Sequence, residues 1–281
     1  MPNRSSRAKQ VNQATEVILQ GDSEQLERLL ADGLDPNSNS IFDGNVSNIR
    51  SGRNRPAKQE TPLLFVAAQF NQARCARALI QARADVTATM TNDYGPPLSM
   101  LSACFVTQQM QGKPYNFDIA RDMVAARADV NTADRFIDPV LGDTNGTLLM
   151  RACEADEFEF ARFLLECGAD IELSKHNGAG ALFQSAQNGR SRCLQLLIGA
   201  KANLEKPFHT GCTALGIAAG AGNADCVRLL LNAGANRDVV SPLDNTKPID
   251  MARIGRPGYG PNHDCVALLK KEPTPGAPPP S

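Results

Sequence analysis

Tryptophan is missing from all 281 residues, and aromatic residues make up only 5%. The chain has almost no net charge, with Lys+Arg 29 against Asp+Glu 30 and a formal balance of −1. Binding nucleic acid or an anionic membrane depends on a surplus of cations, and together with the scarcity of aromatics this balance weighs against both. No apolar run approaches the ~20 residues of a bilayer-spanning helix. The opening MPNRSSRAKQVNQ has no apolar segment behind its positive charges, so it does not read as a secretory signal. Catalytic signatures are absent too: there is no P-loop, no H-E-x-x-H, and no Cys or Ser nucleophile with a recognisable His partner. The glycine-rich GRPGYG at 255–260 lacks both the preceding strand and the helix opening that a phosphate cradle needs. Nor do any two cysteines stand at the C-x₂₋₄-C spacing of a zinc site. No cofactor, metal or small-molecule substrate is expected.

What the chain does contain is repetition. Residues 208–238, FHTGCTALGIAAGAGNADCVRLLLNAGANRD, fall on residues 175–205, KHNGAGALFQSAQNGRSRCLQLLIGAKANLE. Leu215 lands on Leu182, Ala219 on Ala186, Cys226 on Cys193, and Ala235-Asn236 on Ala202-Asn203, each pair 33 residues apart. A fixed step of this length points to a solenoid made of one repeated supersecondary unit. The register also explains the eight cysteines. Cys75, Cys193 and Cys226 share one position at the start of a second helix, Cys265 takes it after a short insertion, and Ile119 and Phe160 fill it elsewhere. A slot that accepts Cys, Ile and Phe is apolar, and free cysteine behaves as a small buried hydrophobe. This predicts a reduced, intracellular protein, cytoplasmic or nuclear.

The pattern G-x-T-x-L-x-x-A-A, followed by G-x-x-x-x-V-x-L-L-L-x-x-G-A-(D/N), resembles the ankyrin repeat. Thr61-Pro62-Leu63 with Ala67-Ala68 opens another copy, and Thr147, Leu149, Ala152 and Leu164-Leu165 mark a further one. Looser copies begin at Pro97-Leu98 and at Pro248-Ile249, and the first copy keeps Leu29-Leu30 and Gly33. The resemblance implies an all-α ankyrin-repeat solenoid of about seven helix-turn-helix units with projecting hairpin-like fingers. The units are read at about 13–37, 60–87, 94–131, 144–172, 177–205, 210–238 and 244–271. Residues 1–12 are expected to form a flexible N-terminal tail, and the Pro-rich 272–281 a disordered one. Insertions fall at 38–59, 105–117, 132–143 and 255–262, the first stretching the step from Leu34 to Ala84 to 50 residues. Small residues dominate the first helices and bulky ones the second. Asp122 stands where other units have an apolar residue, so its helix is expected to pack less well. The His that usually follows Thr-Pro-Leu in the family is absent in every unit. That puts its inter-unit hydrogen bonding in doubt and points to modest stability.

What the resemblance implies about function is a protein-protein interaction scaffold or adaptor, with no catalysis. Its partner would be gripped by the fingers and the concave first-helix face. The candidate partner-binding residues are Arg50, Arg53, Arg55 and Lys58 in the basic insertion, Asn92, Tyr94, Arg135 and Phe136 in the next fingers, and His176, Asn177, His209 and Thr210 in the regular pair. His176 and His209 occupy equivalent finger tips, but neighbouring units ~8–10 Å apart are too distant for shared Zn–N bonds of ~2.0–2.1 Å. The alternatives, an enzyme or a nucleic-acid-binding protein using the repeats as a frame, have only GRPGYG and the basic insertion in their favour.

Overall fold

The computed structural model describes residues 4–42, 59–92, 95–99, 101, 117–134, 137–138, 142–143, 146–175, 178–243, 245–255 and 261–270. The chain is all-α and falls into two compact units, Met1–Thr144 and Asn145–Ser281. In the first, α1 (Arg4–Gln20) pairs with α2 (Ser23–Ala31), α3 (Leu63–Gln69) with α4 (Ala73–Gln81), and α5 (Phe117–Ala125) stands beside α4. The second holds four hairpins: α6 (Leu148–Glu154) with α7 (Phe158–Glu166), α8 (Ala181–Gln187) with α9 (Ser191–Gly199), α10 (Ala214–Ala221) with α11 (Ala224–Asn232), and α12 (Pro248–Ile254) with α13 (His263–Lys270). Within it, first helices pack on first helices and second on second, giving the rows α6–α8–α10–α12 and α7–α9–α11–α13.

None of these helices except α1 exceeds nine residues, a length at which an isolated helix is unstable in water. Packing must therefore hold them. The second helices present one apolar face each: Cys193, Leu194 and Leu197 from α9, Cys226, Val227 and Leu230 from α11. The common slot is closed to solvent in all six cases, with Cys75, Cys193, Cys226, Cys265, Ile119 and Phe160 at most 1% exposed. Burying a side chain of Leu size in this way stabilises by roughly 1.5–3 kcal/mol. The first helices approach through small residues. A Cβ on Gly216 would lie 3.1 Å from the Met251 sulfur of α12, so Ala there would press the two helices apart. Thr147 and Thr213 cap α6 and α10 by accepting from the Met150 and Gly216 amides, the role that Ser and Thr fill at helix N-termini.

Two further sets of polar contacts join the hairpins. Immediately before a second helix, an amide or guanidinium side chain reaches back to carbonyls at the end of the preceding first helix. Asn223 Nδ2 donates to Ala186 O at 2.7 Å and Gln187 O at 3.0 Å. Asn262 Nδ2 does the same to Ala219 O and Gly220 O at 2.9 and 3.0 Å. Among the described residues, Arg190 Nε meets one carbonyl, Glu154 O at 3.2 Å, and Gln72 Nε2 one, Leu19 O at 3.5 Å. Last-turn carbonyls have no intrahelical partner, so these clasps satisfy groups that every first helix leaves open. The second set runs along the turns. The Asn203 amide donates to Glu172 Oε1 and the Asn236 amide to Glu205 Oε1, at 2.8 and 2.7 Å. In the first unit the Asp85 amide donates to Asn37 Oδ1 in the same way. Such bonds join neighbouring hairpins at the turns that follow the second helices.

One expectation needs correction, and the structure adds three features to the others. Residues 1–12 are not a flexible tail from Arg4 onward, because α1 already begins there. The stretch 4–20 contains neither Gly nor Pro, so a helix seeded by the buried Ala14, Val17 and Ile18 propagates back toward the N-terminus. The 38–59 insertion has a two-stranded base, where Asn39–Phe42 pairs antiparallel with Gln59–Pro62 and the Ser40 hydroxyl meets that of Thr15 at 2.8 Å. Within the 132–143 insertion, Ile137–Asp138 pairs with Gly142–Asp143. Asp122 has a role of its own: it takes the guanidinium of Arg77 at 2.9 Å, tying α5 to α4.

Candidate functional site

Fingers precede the first helices, and in the second unit they are short turns built alike. The Lys175 amide donates to Ala179 O and the Gly178 amide to Lys175 O; 33 residues on, the Phe208 amide donates to Cys212 O and the Gly211 amide to Phe208 O. The next finger closes with the Ser241 amide on Thr246 O and the Asn245 amide on Ser241 O. One structural slot thus holds Lys175, Phe208 and Ser241 in turn. The fingers touch each other: Gly178 lies against the backbone of 207–209, and Gly211 against the Pro242 ring. Ser241 Oγ also donates to Thr210 O at 2.9 Å.

Side chains along this edge grade from cationic to apolar. Lys175 runs its stem against Gly146, whose added Cβ would lie 3.2 Å from Lys175 Cε. Burial pulls the Lys175 pKa below its usual value; the carboxylate of Glu154 opposes that shift and the guanidinium of Arg151 adds to it. Phe183, from the first turn of α8, stacks on Phe208 with ring centroids 4.6 Å apart, and His209 meets Phe208 edge-on at 4.1 Å. Ala179, Phe183 and Cys212 form a buried cluster, with Phe208, Ile217 and Met251 half-open against it. Beyond Pro242, Leu243 is 71% exposed. The other finger lysines are paired, Lys206 with Glu172 at 3.6 Å and Lys247 with Asp238 at 3.1 Å.

The thiols of the repeated second-helix slot, unlike Cys212, take no part in this edge. Burial pushes the pKa of Cys75 and Cys226 up to about 11, which keeps them protonated and unreactive near neutral pH. The seven described cysteines are free thiols. No group of His, Cys, Asp and Glu fit to hold a metal ion occurs among the described residues. No helix there is long and apolar enough to cross a membrane.

Of the residues chosen from the sequence, His209 and Thr210 sit in the finger just described, and Asn92 ends the strand Thr89–Asn92, opposite Gly95. Arg50, Arg53, Arg55, Lys58, Tyr94, Arg135, Phe136, His176 and Asn177 lie outside the described residues. Reading the sequence for exposed tips overlooked Lys175, Arg151, Phe183, Phe208 and Leu243. The signal was available in the register, since Lys175 and Phe208 are 33 residues apart and Arg151 precedes Gln184 and Ile217 at the same step.

Stacked helical hairpins with a row of open fingers define a repeat protein of the interaction type. The family description "Ankyrin repeats (3 copies)" matches residues 113–206 and 182–275, and "Ankyrin repeat" matches 58–90, together more than half of the sequence. The chain belongs to the ankyrin repeat family. Members of this family are generally protein-protein interaction modules and typically non-enzymatic. Among solved structures, the chain is similar to the human ASB11 ankyrin repeat domain at 17% sequence identity and a TM-score of 0.63, over 93% of this chain and 99% of that one. At such identity the likeness is one of fold alone. No curated protein sequence matches the chain.

Proposed function

We propose that the protein is a non-catalytic intracellular scaffold or adaptor that grips a protein partner through its fingers and first-helix faces. The observation that carries this reading is the apolar edge of the second unit. Phe208, Ile217 and Met251 pack on the buried cluster of Ala179, Phe183 and Cys212 yet stay partly open to solvent, and Leu243 in the next finger is 71% exposed. Contiguous exposed apolar surface rimmed by polar residues marks interaction sites. The finger positions Arg50, Arg53, Arg55, Lys58, Asn92, Tyr94, Arg135, Phe136, His176, Asn177, His209 and Thr210 belong to the same reading. Free thiols buried at a repeated position suit a reducing compartment, cytoplasm or nucleus.

The test is co-purification with quantitative mass spectrometry, wild type beside the double variant Phe208→Ser/Leu243→Ser. We expect a defined set of partners to drop by at least about tenfold, since apolar anchors at interfaces are worth about 2 kcal/mol or more, while unfolding stays cooperative and its midpoint falls only by the loss of the Phe208 stack on Phe183. Partners unchanged in this variant, and in variants with every finger of the second unit altered, would rule the reading out.

A further inference from the structure

The proposed binding edge has a chemical polarity, and it points to the kind of segment that fits. At one end, Lys175 in the finger row and Arg151 in the first-helix row are both cations. One step further, the same two positions are Phe208 and Gln184; at the following step they are Ser241 and Ile217, with the exposed Leu243 two residues past Ser241. Among the described residues Lys175 makes no side-chain hydrogen bond or ion pair, unlike Lys206 and Lys247. It feels one acid, Glu154, and a second cation, Arg151, whose Nε and Nη2 are closed off from solvent. A half-buried ammonium with its stem packed down on Gly146 is held in place, so little side-chain entropy remains to be lost when an anion meets it.

Resting on the proposed binding function, we infer that this edge takes an extended segment of a partner protein carrying a glutamate or aspartate at the Lys175 end and apolar side chains further along. Packed helices are ~8–10 Å apart and an extended chain advances ~3.3 Å per residue. The first apolar side chain, for Phe208 and His209, therefore lies about three residues from the carboxylate, and the second, for Leu243, about six. The Phe183–Phe208–His209 stack leaves a flat aromatic face for an aliphatic or aromatic neighbour.

A random-peptide display selection on the full chain tests this inference, followed by fluorescence anisotropy on the enriched peptides. We expect enriched sequences to carry Asp or Glu followed by apolar residues about three and six positions on. Replacing that acid by its amide should weaken binding about tenfold, the worth of one charge-assisted hydrogen bond. Lys175→Met, which keeps the packed stem, should weaken the acidic peptide alike and leave its Gln version unchanged. Selection on Lys175→Glu should return basic residues at the same position. Arg228→Ala, on the far row in α11, should change nothing.

Peptides enriched on this edge, lost in Phe208→Ser/Leu243→Ser yet showing no acid preference, would overturn the inference and leave the binding function standing. So would phosphoserine outcompeting glutamate at that position by more than its extra charge explains. A selection that enriches nothing sensitive to Phe208 and Leu243 would overturn both.

Discussion

The two units hold their fingers by different means. In residues 1–144 the described fingers are β-hairpins, Asn39–Phe42 on Gln59–Pro62 and Thr89–Asn92 on Gly95–Ser99, and their backbone groups are satisfied by their own ladders. In residues 145–281 each finger is a single turn with one or two internal bonds, braced by the next finger through Gly178 and Gly211. A self-paired hairpin can change length or sequence at its tip without disturbing its neighbour, which is where this chain accommodates its long insertion. A braced row gives up that freedom for fixed spacing. Fixed spacing is what an edge reading an extended segment at intervals needs, because preorganised side chains lose less entropy on binding.

The largest expected effect comes from breaking the brace. Gly211 has φ of +84°, and a Cβ there would lie 2.0 Å from Pro242 Cδ. Gly211→Ala therefore combines left-handed strain of about 1–2 kcal/mol with overpacking of about 1–3 kcal/mol. We expect a loss of roughly 2–5 kcal/mol in urea unfolding, with the 208–212 and 241–246 amides losing hydrogen-exchange protection first. A loss below about 1 kcal/mol would show that the fingers do not depend on each other.

The clasps between hairpins carry a second contrast. Asn223 spans two carbonyls at 2.7 and 3.0 Å, whereas Gln72 reaches one at 3.5 Å. At about 0.5–1.5 kcal/mol per net hydrogen bond, Asn223→Ala should cost about 1–3 kcal/mol and Gln72→Ala less than about 1 kcal/mol, both read from urea midpoints at constant slope. Equal losses would mean that the clasp in residues 145–281 is no stronger than that in residues 1–144.

Much of this architecture was legible in the sequence, for a physical reason. Each hairpin must bury the same face against the next, so Cys193, Cys226, Leu197 and Leu230 recur at a fixed step. The clasps were not legible. Asn223 and Asn262 read as ordinary turn residues, and their partners are backbone carbonyls, on which a sequence is silent. Likewise Asp122 looked like a packing fault, because Arg77 lies 45 positions away and only the fold brings it near. Of the proposed surface, the sequence reading named His209, which is exposed, and Thr210, which is half-buried. Phe208 was missed because half-buried aromatics do not look like tips, and Lys175 because its significance lies in having Arg151 as a neighbour.

The smallest predicted effect concerns the turn that closes each second helix, where both units mix glycine with cations. Gly33, Gly168 and Gly234 take left-handed φ there, and so do Arg83, Arg127 and Lys201, at +66°, +71° and +64°. For Lys201 three terms compete. Lys201→Gly relieves about 1–2 kcal/mol of left-handed strain, frees the unfolded chain by about 0.5–1 kcal/mol, and removes a cation worth about 0.3–1 kcal/mol at a helix C-terminus. At their midpoints the terms nearly cancel, leaving about 0.1 kcal/mol in favour of glycine, so the urea midpoint should stay at the wild-type value. Lys201→Ala keeps the strain and removes the charge, so it should cost about 0.3–1 kcal/mol. If Lys201→Gly lowers it as well, the cation rather than the backbone decides this turn, and the same sign is then expected at Arg83 and Arg127 in the first unit.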